Sequence, residues 1–125
     1  MTSDADEKDP LTGAVLSAAF EVSNLLGHGF VEAVYQRALA HELMLRGIRA
    51  EREAPFRVTY KDQDVGTYVA DLVVEGRVIV ELKCTEALVP AHMAQCLNYL
   101  NASGLKTGLL INFGRPRVEY RRVIR

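Results

Sequence analysis

The most constraining stretch of this chain is a pair of apolar runs joined by a turn. Val69-Ala70-Asp71-Leu72-Val73-Val74 is followed by Glu75-Gly76 and then by Arg77-Val78-Ile79-Val80-Glu81-Leu82-Lys83. The runs read as two strands of one sheet, Val65–Val74 and Arg77–Lys83, each apolar on both faces. Aspartate is a poor strand former, yet Asp71 sits inside the first strand, and Glu81 and Lys83 end the second. A lone buried carboxylate costs several kcal/mol, so these acids need partners. Two readings meet that need. One is a structural ion pair, Glu81–Lys83 or Asp71–Lys83. The other is a metal site in which a cation offsets Asp71 and Glu81 and leaves Lys83 free for chemistry.

Turn length decides between faces. Period-2 geometry puts Glu81 and Lys83 on one face of their strand. A two-residue loop at Glu75-Gly76 pairs Val74 with Arg77 and sends Asp71 to the opposite face from Glu81. An odd loop, or one bulge, brings Asp71, Glu81 and Lys83 to the same face. Gly76 supplies the left-handed position that such a loop requires.

The remaining periodicities frame this hairpin. Leu11, Val15, Ala18, Ala19 and Val22 form one stripe, which predicts a helix from Pro10 to near Leu26, stopped by Gly27-His28-Gly29. A second helix is expected over 30–46, and a strand over 48–60 in which Pro55 marks a kink or an edge. Residues 61–64 read as a turn. Pro90–Ala102 has helical spacing, Lys106–Phe113 reads as a central strand, and Val118–Ile124 as an edge strand. The order is helix, helix, three strands, helix, two strands. The expected fold class is therefore α/β (α+β), one mixed central sheet flanked by helices.

Composition excludes several classes. The chain has 125 residues, of which 49% are hydrophobic and 25% charged, values ordinary for one globular domain. It has no apolar run long enough to span a bilayer and no apolar signal at its start, so a cytoplasmic protein is expected. Cys84 and Cys96 are too few for a disulfide scaffold or a zinc site and read as reduced, buried thiols. Residues 1–9 read as a disordered acidic tail and 10–125 as a single domain. Net charge is −1, with no global pull toward nucleic acid. The C-terminal stretch nevertheless sets Arg115, Arg117, Arg121, Arg122 and Arg125 against Glu119 alone. Such an edge serves either to hold phosphates or to keep an edge strand unpaired.

Two helices carry further polar oddities. Glu32 falls in the apolar arc with Tyr35, Leu39 and Leu43, near its border. It has no basic residue at i+3 or i+4, where Tyr35 and Gln36 stand. It is either a first-turn carboxylate favoured by the helix dipole or one end of a longer-range contact. Glu42, by contrast, has Arg46 four residues on. In the third helix, Met93, Cys96, Leu97 and Leu100 make an apolar stripe, and His92, Gln95 and Tyr99 a polar one that can look onto the Asp71–Glu81 site.

Taken together these residues resemble a known family. Gly29-Phe30-Val31-Glu32-Ala33-Val34-Tyr35 fits G-x-x-E-x-x-Y, the pattern that names the GxxExxY proteins. The likeness runs from about Leu11 to Ile124 and includes Ala40–Leu43, Gly66–Tyr68, Glu81–Lys83, Gln95–Leu100 and Gly108–Gly114. That family resembles a branch of the PD-(D/E)XK nucleases, whose restriction-endonuclease-like core runs α-β-β-β-α-β. The resemblance makes Asp71 the motif aspartate and Glu81 and Lys83 the E-x-K pair. It makes Glu32 the first-helix glutamate of the RecB and phage-exonuclease type, and Gln95 and Tyr99 their Q-x-x-x-Y helix. Val69-Ala70-Asp71 lacks the proline of the superfamily's name.

The resemblance implies hydrolysis of nucleic-acid phosphodiesters, DNA above all, with Mg²⁺ or Mn²⁺ held by Asp71, Glu81 and the Leu82 carbonyl. Lys83, Glu32, Gln95 and Tyr99 would be the catalytic and orienting groups. A chain this short leaves little beyond the core, so a DNA channel would need a homo-oligomer or a protein partner. The rival reading is a module of the same fold that binds nucleic acid or protein with weak catalysis or none.

Overall fold

Asp9 caps the first helix. In a computed structural model that describes residues 9–125, its carboxylate accepts from the Leu11 N–H at 2.9 Å. The acidic tail expected at the N-terminus otherwise lies outside the described residues. Helix α1 spans Pro10–Leu26 and α2 spans Glu32–Leu45. Strands β1 (Ala50–Tyr60), β2 (Gln63–Val74) and β3 (Val78–Lys83) follow, then α3 (Pro90–Ser103), β4 (Thr107–Asn112) and β5 (Glu119–Ile124).

The five strands form one mixed sheet in the order β1-β2-β3-β4-β5. β3 and β4 are parallel, joined through α3, and the other neighbours are antiparallel. The fold is α+β, with helices on both faces as the periodicities required. On one face the α1 stripe of Val15, Ala18, Ala19 and Val22 meets Tyr35, Leu39 and Leu43 of α2 over Leu72, Val80, Leu82, Leu109 and Ile111. On the other, Leu100 and Cys96 of α3 cover Ile79, Val73, Ala70 and Leu110.

Most boundaries fall within two residues of expectation. The largest local difference is the β1–β2 turn. Lys61 and Asp62 both adopt positive φ, 48° and 65°, and Tyr60 pairs directly with Gln63. A two-residue turn of that hand matches the twist of the flanking strands, so pairing resumes earlier than the four polar residues suggest. Leu97, assigned to the apolar stripe of α3, is 39% exposed; Cys96 and Leu100 carry the burial. Pro55 lies on β1, an edge strand. Glu42 and Arg46 pair at 2.6 Å.

Candidate active site at the split of two strands

The β2–β3 turn has the odd length that the site requires. The Arg77 N–H donates to the Val74 carbonyl at 3.0 Å, and Gly76 takes φ 65°. Val74 then pairs with Val78 rather than Arg77, leaving Arg77 as the extra residue. Continued by this register, Asp71 stands opposite Glu81.

The backbone ladder between β2 and β3 ends at Leu72–Val80, just before those two residues. Their carboxylates take over the freed amides. The Asp71 N–H donates to Glu81 Oε2 at 3.1 Å, and the Leu82 N–H donates to Asp71 Oδ2 at 2.8 Å. The strands thus part where the acids stand, and the acids satisfy the amides that the parting would orphan.

Asp71 itself sits at a slip in the strand alternation. Tyr68 and Ala70 face α3, whereas Leu72 and Val74 face α1 and α2. On the partner strand Ala54 faces α3, and Glu53, opposite Asp71, takes φ 55°. This corrects the expectation of one shared face. Glu81 follows Ile79 onto the α3 side, while Asp71 reaches the other way, its Oδ1 accepting from Gln36 Nε2 of α2 at 3.3 Å. The two acids meet across the split rather than side by side on one surface.

Glu81 is 7% exposed. Its Oε2 also accepts from the Tyr68 hydroxyl at 2.6 Å. Burial, the largest effect, and the Asp71 charge push Glu81 up to about 7, against the hydrogen bonds from Tyr68 and Asp71 that favour its charged form. Burial and the Glu81 charge hold the Tyr68 hydroxyl well above the usual phenol range, so it stays a donor. Tyr68 is clamped between rings, stacked on Tyr99 at 3.5 Å between centroids and on Phe56 at 6.0 Å.

The residues proposed from sequence divide into two groups. Lys83 is half-buried at the end of β3, with Nζ 3.4 Å from Gln95 Oε1. Tyr99 packs on Tyr68, and its pKa is raised by burial and then by the charges of Glu81 and Asp71. These residues, with Asp71, Glu81 and Leu82, come together. Glu32 does not join them by hydrogen bond. It is exposed at the first position of α2, and its charge is felt by Cys84, whose thiol burial and then Glu32 push up. The α2 residue that touches Asp71 is Gln36, one turn further on. His92, on the same stripe as Gln95, caps its own helix, with Nδ1 accepting from the Val89 N–H at 3.0 Å.

Sequence reasoning missed Gln36, Arg52 and Tyr68. Arg52 Nη1 donates to Gln36 Oε1 at 3.3 Å and completes a chain from β1 through α2 to Asp71. The available signal was Gln36 itself, a polar residue on the buried stripe of α2. In the G-x-x-E-x-x-Y stretch, Tyr35 is structural. It is fully buried, stacks on Phe113 at 4.5 Å, and donates to the Gly27 carbonyl at 2.6 Å.

The donor set suits a hard divalent cation. Asp71 and Glu81 offer only oxygens, and Glu81 Oε1 accepts no hydrogen bond among the described residues. A strand residue points its N–H and C=O the same way, so the Leu82 carbonyl lies on the Asp71 side. Mg²⁺ is commonly held by one or two carboxylates, with waters and substrate oxygens filling the rest. Among the described residues no group of three or more His, Cys, Asp or Glu side chains is arranged to hold a metal ion. Two carboxylates and a carbonyl are the oxygens that the described residues could offer one.

Split strands, opposed acids and an E-x-K strand end followed by a helix define a nuclease-like fold. The chain belongs to the PD-(D/E)XK nuclease superfamily, whose model matches residues 9–123. Among solved structures it is similar in fold to one described as "Crystal structure of SSO0001", at 18% identity and a TM-score of 0.56. That match covers 96% of this chain and 58% of the other, so this chain spans a little over half of its structural relative. No curated protein matches it. No helix among the described residues is long and apolar enough to cross a membrane.

Proposed function

We propose that this protein is a nuclease that hydrolyses DNA phosphodiesters with Mg²⁺ or Mn²⁺, its narrower kinship being with the GxxExxY proteins. The observation that carries the reading is the parting of β2 from β3 at Asp71 and Glu81, with Lys83 two residues along the same strand. A buried acid raised to about 7 beside a second acid is a site short of positive charge.

Asp71, Glu81 and the Leu82 carbonyl would hold the cation, which when bound acidifies water and offsets charge on the phosphate. The rest is the work of this chain's own groups. Tyr68 donates to Glu81 Oε2, which favours the charged carboxylate against its burial and aims it. Gln36, braced by Arg52, fixes the Asp71 carboxylate from the opposite side. Lys83 holds a phosphate oxygen through its N–H donors, and Gln95 limits where its ammonium travels. Tyr99 acts on the site through Tyr68, as a positioning residue. Glu32, beside the end of β3, would contact the site through water.

A second reading, a binding module without catalysis, is favoured by one observation. Both Asp71 oxygens and Glu81 Oε2 are already satisfied within the protein. Cleavage of labelled single- and double-stranded DNA with Mg²⁺ or Mn²⁺ separates the two. Activity in wild type that disappears in Asp71→Asn establishes the nuclease. Wild type that binds DNA but never cleaves it establishes the module.

A further inference from the structure

The arginines near the C-terminus fall in two places. Arg121 lies within β5 and is engaged by Glu119 at 3.7 Å and by the Tyr120 carbonyl at 2.8 Å. Arg115 and Arg117 lie in the preceding loop, exposed, and make no hydrogen bond or close salt bridge with the described residues, although the Arg115 charge is felt by Glu119. A charged edge strand is protected by charges on the strand itself. That explanation accounts for Arg121, but it does not reach two loop residues.

The loop's position is set by strand register. Lys83 of β3 is level with Asn112 of β4, and Asn112 is level with Glu119 of β5. The loop therefore leaves the sheet at the end where Lys83 stands. Two strand spacings, roughly 10 Å, separate β3 from β5. That equals some three nucleotides of rise at about 3.4 Å each.

A polar clasp ties this loop to the segment that follows Lys83. Asn112 is fully buried. Its Oδ1 accepts from the Thr85 N–H at 3.0 Å and the Gly114 N–H at 2.9 Å, and its Nδ2 donates to the Thr85 carbonyl at 2.9 Å. Glu119 Oε1 accepts from Asn112 Nδ2 at 3.2 Å and from the Leu88 N–H at 2.9 Å. A Cβ at Gly114 would come within 2.4 Å of the Thr85 backbone, so the two segments touch main chain to main chain. Glu119 is held below the usual carboxylate range, first by the Leu88 N–H, and so keeps its charge inside the clasp. Beside it Arg115, Arg117, Arg121 and Arg122 line a groove of about 650 Å³.

We propose that Arg115 and Arg117 form a nucleic-acid backbone subsite, held at a set distance from Lys83 by the Asn112–Glu119 clasp. The subsite rests on the nuclease reading for the identity of its ligand. Guanidinium groups pair with phosphate oxygens in two-point fashion and carry no sequence information, so the subsite sets register along a strand rather than base choice. It would grip the strand a few nucleotides from the bond facing Lys83.

The test is fluorescence anisotropy of labelled single- and double-stranded DNA, with EDTA present so that nothing is cleaved. Wild type is compared with R115Q/R117Q and with a control pair, R49Q/R57Q, whose arginines lie on the β1 side of the molecule; melting temperature verifies that both fold. The loop variant should bind at least tenfold more weakly near 0.1 M salt, and its log–log salt slope should fall by about one to two. The control pair should bind as wild type. Equal binding by wild type and R115Q/R117Q, equal losses in both variant pairs, or no binding by wild type overturns the subsite. If R115Q/R117Q binds normally while Asp71→Asn abolishes cleavage, the subsite fails and the nuclease stands. If binding needs the arginines but wild type cleaves nothing, the subsite stands and the nuclease fails.

Discussion

Asp71 and Glu81 stand opposite each other at the point where β2 and β3 part, and each carboxylate accepts an amide that the broken ladder leaves behind. This arrangement makes the acids structural and available at once. They hold the split open, and they line it. A substitution at either position therefore has two effects, one on the fold and one on the site.

The pH dependence of stability should carry the signature of Glu81. Its folded pKa of about 7 lies above the ordinary 4.5, so between those values the folded protein holds a proton that the unfolded chain has released. Stability contributed by this group is complete below about pH 4.5, falls as pH rises toward 7, and is level above that. The span is at most roughly 3 to 4 kcal/mol, at 1.36 kcal/mol per unit. Urea denaturation of wild type and Glu81→Gln across this range reads the difference. Parallel curves for the two proteins would show that Glu81 does not titrate in this window.

Tyr68→Phe removes the hydroxyl that donates to Glu81 and leaves the ring stack intact. A donor to a charged group contributes about 1.5–3 kcal/mol, so a loss of that order is expected above pH 7, with less below. The Glu81 pKa should rise further, because the lost bond favoured its charged form. Carboxyl NMR titration measures it directly, and an unchanged or lower value would contradict the assignment.

Cation binding should appear as a thermal shift. An ion that binds the folded state alone adds about 2.7 kcal/mol at a concentration one hundred times Kd. Asp71→Asn should remove most of that shift. Lys83→Ala should retain it, because an ammonium does not ligate a cation, while cleavage falls by about 10²–10³. Lys83 is half-buried and makes one long bond to Gln95, so its removal should cost little stability. Loss of the metal-dependent shift in Lys83→Ala would place the lysine in the cation site instead.

Gly114→Ala tests the clasp. The added methyl meets backbone rather than a flexible side chain. Destabilisation at the upper end of the roughly 1–3 kcal/mol that overpacking costs is expected in chemical denaturation. A wild-type midpoint would mean that the two segments separate freely.

The elements were legible in the sequence because their causes are local. The α1 stripe, Pro10 at its start and Gly27 at its end lie within one segment, and α1 spans Pro10–Leu26 as that pattern requires. The odd β2–β3 turn was legible too, since Gly76 marks the left-handed position and the parity of the loop fixes what faces Glu81. Asp71, Glu81 and Lys83 stood out because charge in an apolar strand needs compensation, an argument that requires no neighbours.

What lies across elements was decided by packing. Tyr68 reads as one more strand residue until the sheet sets its hydroxyl 2.6 Å from Glu81 and α3 lays Tyr99 against its ring. The α2 residue that meets Asp71 is Gln36 and not Glu32, because the seating of α2 on the sheet, and not its helical period, chooses the turn that faces the split. The slip that turns Asp71 toward α2 is matched by the positive φ of Glu53 opposite it on the partner strand, residues eighteen apart in sequence. Propensity, period and turn chemistry act over a few residues, so they alone set which segments become strands and helices and which charges demand partners. Who those partners are depends on packing, because a hydrogen bond is formed or lost over less than an ångström, a distance that only the packed helices and sheet can set.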